Sequence, residues 1–290
     1  MSPIPLQHVK LLVRCSAMYL ALCSAQLNAT AAEVLTAPSR TLPTTGTTWC
    51  YSIGSPHPST MTLKGVSAGI ASYNIGGPGA ITRIEEQTDT YTSVNATRHG
   101  QRKLLVFPLA KDRKWSDEFT EEITSHLGSN AEMQFTYHAI SQSHVIGTEK
   151  RHVGAGTFDT FVIERNTAWT KSHPRSSSKL LQAQQCDDAD CAVTGYSKEV
   201  YWYAPSVGRA VLRAYSQSGD SDFIWNLSPD ELLNNASSLV TELVGYGRAA
   251  TCGDLHPPLL ARVPSAPWYG FPMFMNNTWE FLMQRNIAPE

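Results

Sequence analysis

β-branched and aromatic residues fall into short runs along this chain, separated by Gly, Pro and small polar residues, a pattern that predicts strands joined by turns. Two segments are clearest. Gly154–Glu164 and Tyr201–Arg209 each read as a strand bounded by Gly or Pro. Further candidates are Thr48–Ile53, Glu132–Ile140, Ser143–Val153, Thr157–Trp169, Ser197–Ala204 and Arg209–Tyr215. Ile81–Val94 and Arg102–Leu109 suggest a hairpin around residues 95–100. Residues 64–80 are small and Gly-rich and predict a loop or a loosely formed strand, and residues 171–185 an exposed loop or hairpin tip. Between Ala204 and Arg209, Pro-Ser-Val-Gly combines a pre-set φ with a residue that tolerates positive φ, so a tight hairpin is expected. By the alternation of a strand, Trp202 faces away from Tyr201 and Tyr203.

One segment carries helical spacing. Over residues 228–245, Leu232, Leu233, Ala236, Leu239, Val240 and Leu243 form an apolar stripe. Ser228 supplies a cap, Pro229 suits the first turn, Asp230 and Glu231 complement the dipole, and Gly245 supplies a stop. Strands followed by one late helix, without a βαβ rhythm, imply a mainly β (α+β) chain.

The ends of the chain bear on its compartment. Lys10 and Arg14 precede an apolar run, Cys15 to Leu27, and the small residues Ala29-Thr30-Ala31 follow, the layout of a secretory signal peptide over residues 1–32. A Thr/Pro-rich linker is expected at 33–48, an antiparallel β domain at 49–252, and a Pro-rich, aromatic extension at 253–290. Removing Lys10 and Arg14 from the 23 basic residues leaves 21 against 25 acidic, a net of −4. That balance argues against a nucleic-acid surface, and no later segment is apolar enough to span a bilayer as a helix. A periplasmic or secreted location is expected. Four cysteines then remain, Cys50, Cys186, Cys191 and Cys252, with three possible pairings; Cys186 with Cys191, and Cys50 with Cys252, is the expected one.

The order Phe107-Pro108-Leu109, Lys114-Trp115, Gly154 to Asp159, Tyr201 to Pro205 and Gly208-Arg209 resembles an uncharacterised family of bacterial envelope proteins, similar in layout to the LolA/LolB-like lipoprotein carriers. The resemblance covers roughly residues 45–216. It implies a curved antiparallel sheet forming an open half-barrel, whose concave face holds an apolar ligand or a partner, and it implies no catalytic residues.

Candidate chemistry is sparse. Gly65-Val66-Ser67-Ala68-Gly69 matches a nucleophile elbow, which requires a strand feeding a sharp turn into a helix; Gly76, Gly77, Pro78 and Gly79 leave no room for that helix. His138, His144 and His152 lie on neighbouring strand candidates but lack a carboxylate at a regular offset, so no metal is expected. Asp187, Asp188 and Asp190 lack the glycine and distal glutamate of a calcium loop. The aromatic set Phe158, Phe161, Val162, Tyr201, Trp202 and Tyr203 is the candidate ligand face. No cofactor is expected. The expected role is a non-enzymatic binding or assembly factor for a hydrophobic ligand or envelope partner. The alternatives are a serine hydrolase built on Ser67 and a surface protein that docks through its aromatic tail.

Overall fold

A computed structural model describes residues 35–54, 57–77, 80–126, 132–177, 192–218, 225–248, 250, 252–253 and 260–262. The expected leader, most of the C-terminal extension, the Cys186–Cys191 loop and its aspartates lie outside these residues. In chain order the elements are β1 (Thr47–Ser52), β2 (Ser59–Ser67), β3 (Ile70–Gly77), β4 (Ala80–Gln87), β5 (Thr92–Ser93), β6 (His99–Gln101), β7 (Lys114–His126), β8 (Glu132–Val153), β9 (Gly156–Ser176), β10 (Val193–Ala204), β11 (Arg209–Gln217), α1 (Pro229–Asn234) and β12 (Leu239–Arg248).

The twelve described strands make one open antiparallel sheet in the order β5-β4-β3-β2-β1-β12-β11-β10-β9-β8-β7-β6. Two meanders, β1 to β5 and β6 to β11, are therefore joined by the last strand, β12, lying between β1 and β11. That strand replaces most of the expected helix. The helix begins as the sequence predicts, with Ser228 and Glu231 forming a capping box, but it ends after six residues. Asn235 turns the chain out of it by accepting bonds from the amide and hydroxyl of Ser237. Val240, Thr241 and Val244 then favour extended backbone, and β12 satisfies its backbone groups on β1 and β11. Leu239, Val240 and Leu243 fit helical spacing, but pairing on two sides outweighs that local pattern.

Other differences have similar causes. The Gly-rich stretch at 64–80 lies in two ordered strands, β2 and β3, joined by a turn at Ala68 and Gly69 with φ of 48° and 77°. Two successive positive φ values suit the twist of a two-residue hairpin. The expected hairpin of 81–94 with 102–109 is absent: β4 pairs with β3, and residues 102–113 carry no strand. The break expected at Ser141 and Gln142 does not occur, because β8 runs unbroken for 22 residues with Ser141 and Ser143 turned to buried polar partners. β9 continues to Ser176, through the start of the expected 171–185 loop. β7, rich in acidic residues, has no counterpart among the expected strands.

The main apolar cluster gathers Trp49, Leu63, Tyr73, Val162, Trp202 and Leu212, with Leu232 and Leu233 of α1 packed on it. Each such side chain contributes roughly 1.5–3 kcal/mol by leaving water. Cys50 on β1 is bonded to Cys252, 202 residues away. In the loop-entropy picture that closure removes about 5 kcal/mol of freedom from the unfolded chain. The expected linker is tied down: Ala37 pairs with Leu109, and the amide of Gly46 donates to the carbonyl of Leu63.

The β10–β11 turn is tight, as its sequence predicts. Gly208 has φ of 70°, and its amide donates to the carbonyl of Ala204. A Cβ at Gly208 would sit 2.4 Å from the carbonyl oxygen of Thr41. Gly208→Ala therefore meets both an unfavourable backbone region, worth about 1–2 kcal/mol, and a clash with backbone. Urea unfolding should give a midpoint lower by at least that equivalent; an unchanged midpoint would refute the contact.

Candidate functional site

One face of the sheet carries buried ion pairs stacked on aromatic rings. Glu86 of β4 accepts two bonds from Arg209 of β11, at 2.7 and 3.0 Å, and one from Arg40 at 3.0 Å. β4 and β11 lie five places apart in the sheet order. The Arg209 guanidinium lies 5.0 Å from the Tyr73 ring and 4.9 Å from the Tyr91 ring, and Arg40 lies 4.4 Å from the Tyr91 ring. Burial alone would raise the Glu86 carboxyl, but the Arg209 and Arg40 guanidiniums overcome it and hold Glu86 down at about 2.

A second set lies on the same face. One terminal nitrogen of Arg165 on β9 donates to both carboxylate oxygens of Asp117 on β7, at 2.8 and 3.0 Å, and the guanidinium also bonds to the hydroxyls of Ser141 and Ser143 on the strand between. Glu199 of β10 accepts from Arg213 of β11 and from the Tyr201 hydroxyl. Arg98 pairs with Glu121 at 2.7 Å.

Beside these clusters is a cavity of about 410 Å³. One wall comes from β1 to β4, with Tyr51, Met61, Ile75 and Ile84. The facing wall comes from β10 to β12, with Tyr201, Arg209, Leu212, Arg213 and Thr241. Residues 91–104 supply the remainder through Tyr91, Ser93, Arg102 and Leu104. Ile53, 38% exposed, also lines it. The volume falls in the range of small-molecule sites, and the mix of apolar wall with a few polar groups is their usual composition.

Arg102 is held from both sides. Its carbonyl accepts from the Thr92 hydroxyl at 3.0 Å, and the adjoining Leu104 and Leu105 amides donate to the Thr90 carbonyl. The Lys103 carbonyl accepts from the Trp115 indole and from Arg165. The Arg102 guanidinium lies 5.4 Å from the Phe119 ring, and its Nε and one terminal nitrogen are buried with no hydrogen-bond partner. Burial, and then the charge of Arg165, lower its pKa from the ordinary arginine value. A larger cavity of about 640 Å³ lies at turns and loops, lined by Ala68, Thr88, Asn95, Arg98 and Lys103 among others, and Arg102 borders both cavities. The larger one lacks the apolar wall, so the candidate site is assigned to the smaller one.

Of the six residues expected to bind a ligand, only Tyr201 lines this cavity. Tyr203 meets the rings of Tyr91 and Phe107, whereas Trp202 donates to Glu149 and stacks with Arg151, so the alternation across β10 is as expected. Phe161 and Val162 are buried in the sheet, and Phe158 is packed on the main apolar cluster. The sequence reading missed Glu86, Arg102, Arg209 and Arg213. A signal for two of them was available: Arg209 and Arg213 flank an apolar run in a predicted strand, where a charge must be turned inward or exposed. Ser67 ends β2 and leads into a hairpin, not into the strand-to-helix corner that an elbow needs. His138, His144 and His152 lie along β8; His138 pairs with Glu118 and His152 with Thr157, and His144 Nε2 lies 3.7 Å from Asp112. Among the described residues no group of three His, Cys, Asp or Glu side chains is placed to share a metal ion, and no helix is long and apolar enough to cross a membrane.

No family model matches the chain, and no curated protein matches it. Among solved structures it is similar, at 15% identity and a TM-score of 0.36, to a candidate lipoprotein from Parabacteroides distasonis. That match covers 73% of this chain and 99% of the other. A likeness at this level carries no argument.

The Glu86 cluster has a measurable signature. Glu86→Gln leaves Arg40 and Arg209 buried against a neutral amide, which should cost about 3–5 kcal/mol. The folded carboxyl titrates at about 2, below the unfolded value of about 4.3. Its contribution is therefore complete above the unfolded value and is lost as pH falls from about 5 towards 2. Urea midpoints followed across that window should fall less steeply in Glu86→Gln than in the native sequence. Parallel curves would mean that Glu86 is not held ionised.

Proposed function

We propose that the mature chain is a non-enzymatic binding factor that holds a hydrophobic ligand in the cavity between the two meanders of its sheet. The observation that carries this is the cavity itself: an apolar wall of Ile53, Met61, Ile75, Ile84, Leu104 and Leu212 around space large enough for a small ligand. We also read the open ladder as wrapped, its inner face being the concave one. Twelve strands laid flat would span roughly 50 Å at the usual spacing. Yet β5 and β6, its two ends, are separated by residues 94–98 alone, which can reach at most roughly 20 Å. The contact between Glu86 and Arg209 supports the same reading, since strands five places apart in a flat sheet would lie roughly 24 Å from one another.

The compartment we propose is periplasmic or secreted. The expected leader supports it, as does the Cys50–Cys252 disulfide, a bond that persists in oxidising surroundings. Which residues touch the ligand is likewise part of the proposal, with Tyr201 retained from the sequence expectation and the β1–β4 wall added.

An apolar fluorescent probe such as N-phenyl-1-naphthylamine should bind the mature protein and be displaced by decanol. Ile53→Asp puts a charge at an exposed position of the cavity, so it should weaken the probe at least about tenfold, the scale of a lost apolar contact plus a desolvated carboxylate, with little change in thermal midpoint. A native protein that neither binds the probe nor is stabilised by decanol would end this reading.

A further inference from the structure

We propose that the ligand is an amphiphile with an anionic head, a carboxylate or phosphate on an alkyl chain, and that Arg102 receives the head. The proposal rests on the reading of the cavity as an apolar-ligand site and adds the charge of the ligand's polar end.

Three arginines line the cavity, Arg102, Arg209 and Arg213, and Arg102 also borders the larger one. The single carboxylate that lines it, Glu86, is already shared by Arg209 and Arg40. Glu199 is taken by Arg213 and the Tyr201 hydroxyl. The acidic groups deeper on the same face are equally committed, Asp117 to Arg165 and Glu121 to Arg98. What remains is a surplus of buried donors: Nε and one terminal nitrogen of Arg102, and Nε of Arg209. Arg102 itself is 8% exposed.

A lysine in this position could shed its proton and so lower the cost of burial, but a guanidinium stays charged. The Glu199 charge and the Phe119 ring, 5.4 Å away, offset part of that cost, but the two buried nitrogens still lack an acceptor, which one brought from outside would supply. Oxyanions suit it, because charge-assisted bonds to a guanidinium are about twice as strong as neutral ones. The apolar part of the wall bears on what the anion is attached to. Met61, Ile75, Ile84, Leu104 and Leu212 are covered at no polar cost by an alkyl chain, while hydroxyls of Ser59, Thr60, Ser93 and Thr241 line the remainder. A small inorganic anion would satisfy Arg102 and leave that apolar surface wet.

The test uses the mature full-length protein at neutral pH and three ligands with one chain: decanoate, decyl phosphate and decanol. Affinities are read by displacement of the naphthylamine probe. The native protein should hold at least one of the two anions about tenfold or more tighter than decanol, the scale of one good charge-assisted bond; the order of the two anions distinguishes a carboxylate from a phosphate head. Arg102→Met should lose most of that preference, keep decanol within about threefold, and resist urea better than the native protein when no ligand is present, since an unsatisfied buried cation has gone. Arg102→Lys should retain part of the preference. Equal affinity of the native protein for decanol and both anions would overturn the proposal while leaving the apolar site standing, and this comparison needs no variant. A preference that survives in Arg102→Met would also overturn the role of Arg102. If none of the three ligands binds, decanol included, the apolar site falls and the proposal with it.

Discussion

Glu86 is the point on which this fold is organised. Its carboxylate joins β4 of the first meander, β11 of the second, and the N-terminal segment through Arg40. A buried ion pair contributes little net stability over a well-packed apolar substitute, because both charges first lose their water. Its influence lies in what it forbids. Any arrangement of the two meanders that separates Glu86 from Arg209 strands buried charges in a place lined by Trp49, Tyr73 and Tyr91. Apolar contacts tolerate sliding, and charged ones in low dielectric do not. The ladder through β12 already joins the two meanders, and the pair adds a second constraint across the face, between β4 and β11.

The same device recurs along the face. Asp117 and Arg165 span β8, and Glu199 and Arg213 tie β10 to β11. Arg213 also lies over the Tyr201 and Tyr215 rings. A mainly β chain with a polar interior of this kind cannot close its core as oil on oil. Long, planar guanidinium groups need room and partners, and packing them beside Leu and Ile leaves space between. The cavity lies beside these groups and is lined by residues of both meanders.

Much of the architecture was readable from the residues, though unevenly. Tyr201-Trp202-Tyr203 and the Pro-Ser-Val-Gly turn are local signals, and both hold: alternation splits the aromatics between two faces, and Gly208 takes a positive φ. Ser228 and Glu231 mark the start of α1 for the same reason, because a cap is a short-range interaction. The misses are long-range. Residues 239–245 pattern as the second half of a helix and instead lie in the central strand β12, which gives β1 and β11 each a second neighbour. The small residues of β2 and β3 look like loop until a ladder on both sides holds them. The site was the least readable part. Glu86, Arg102 and Arg209 are far apart in sequence, and nothing local says that their charges are turned inward together.

The cavity walls are unequal, and that bears on where its chemistry sits. The strands that supply Met61, Ile75, Leu212 and Thr241 each have hydrogen-bonded neighbours on both sides. The wall that supplies Tyr91, Arg102 and Leu104 comes from a stretch whose strands are two and three residues long and end the ladder. Its backbone is anchored at a few points instead, chiefly the Thr90 and Lys103 carbonyls. A buried cation without an acceptor is a load on any wall, and a load is carried at least disruption where the fewest ladder bonds depend on the position. Placing Arg102 within a central strand would strain the pairing of two neighbours. Placing it after β6 confines the cost to the edge of the sheet, where the chain is already held by side chains. The two unpaired nitrogens of Arg102 and the shortest strands of the ladder fall in the same stretch of chain.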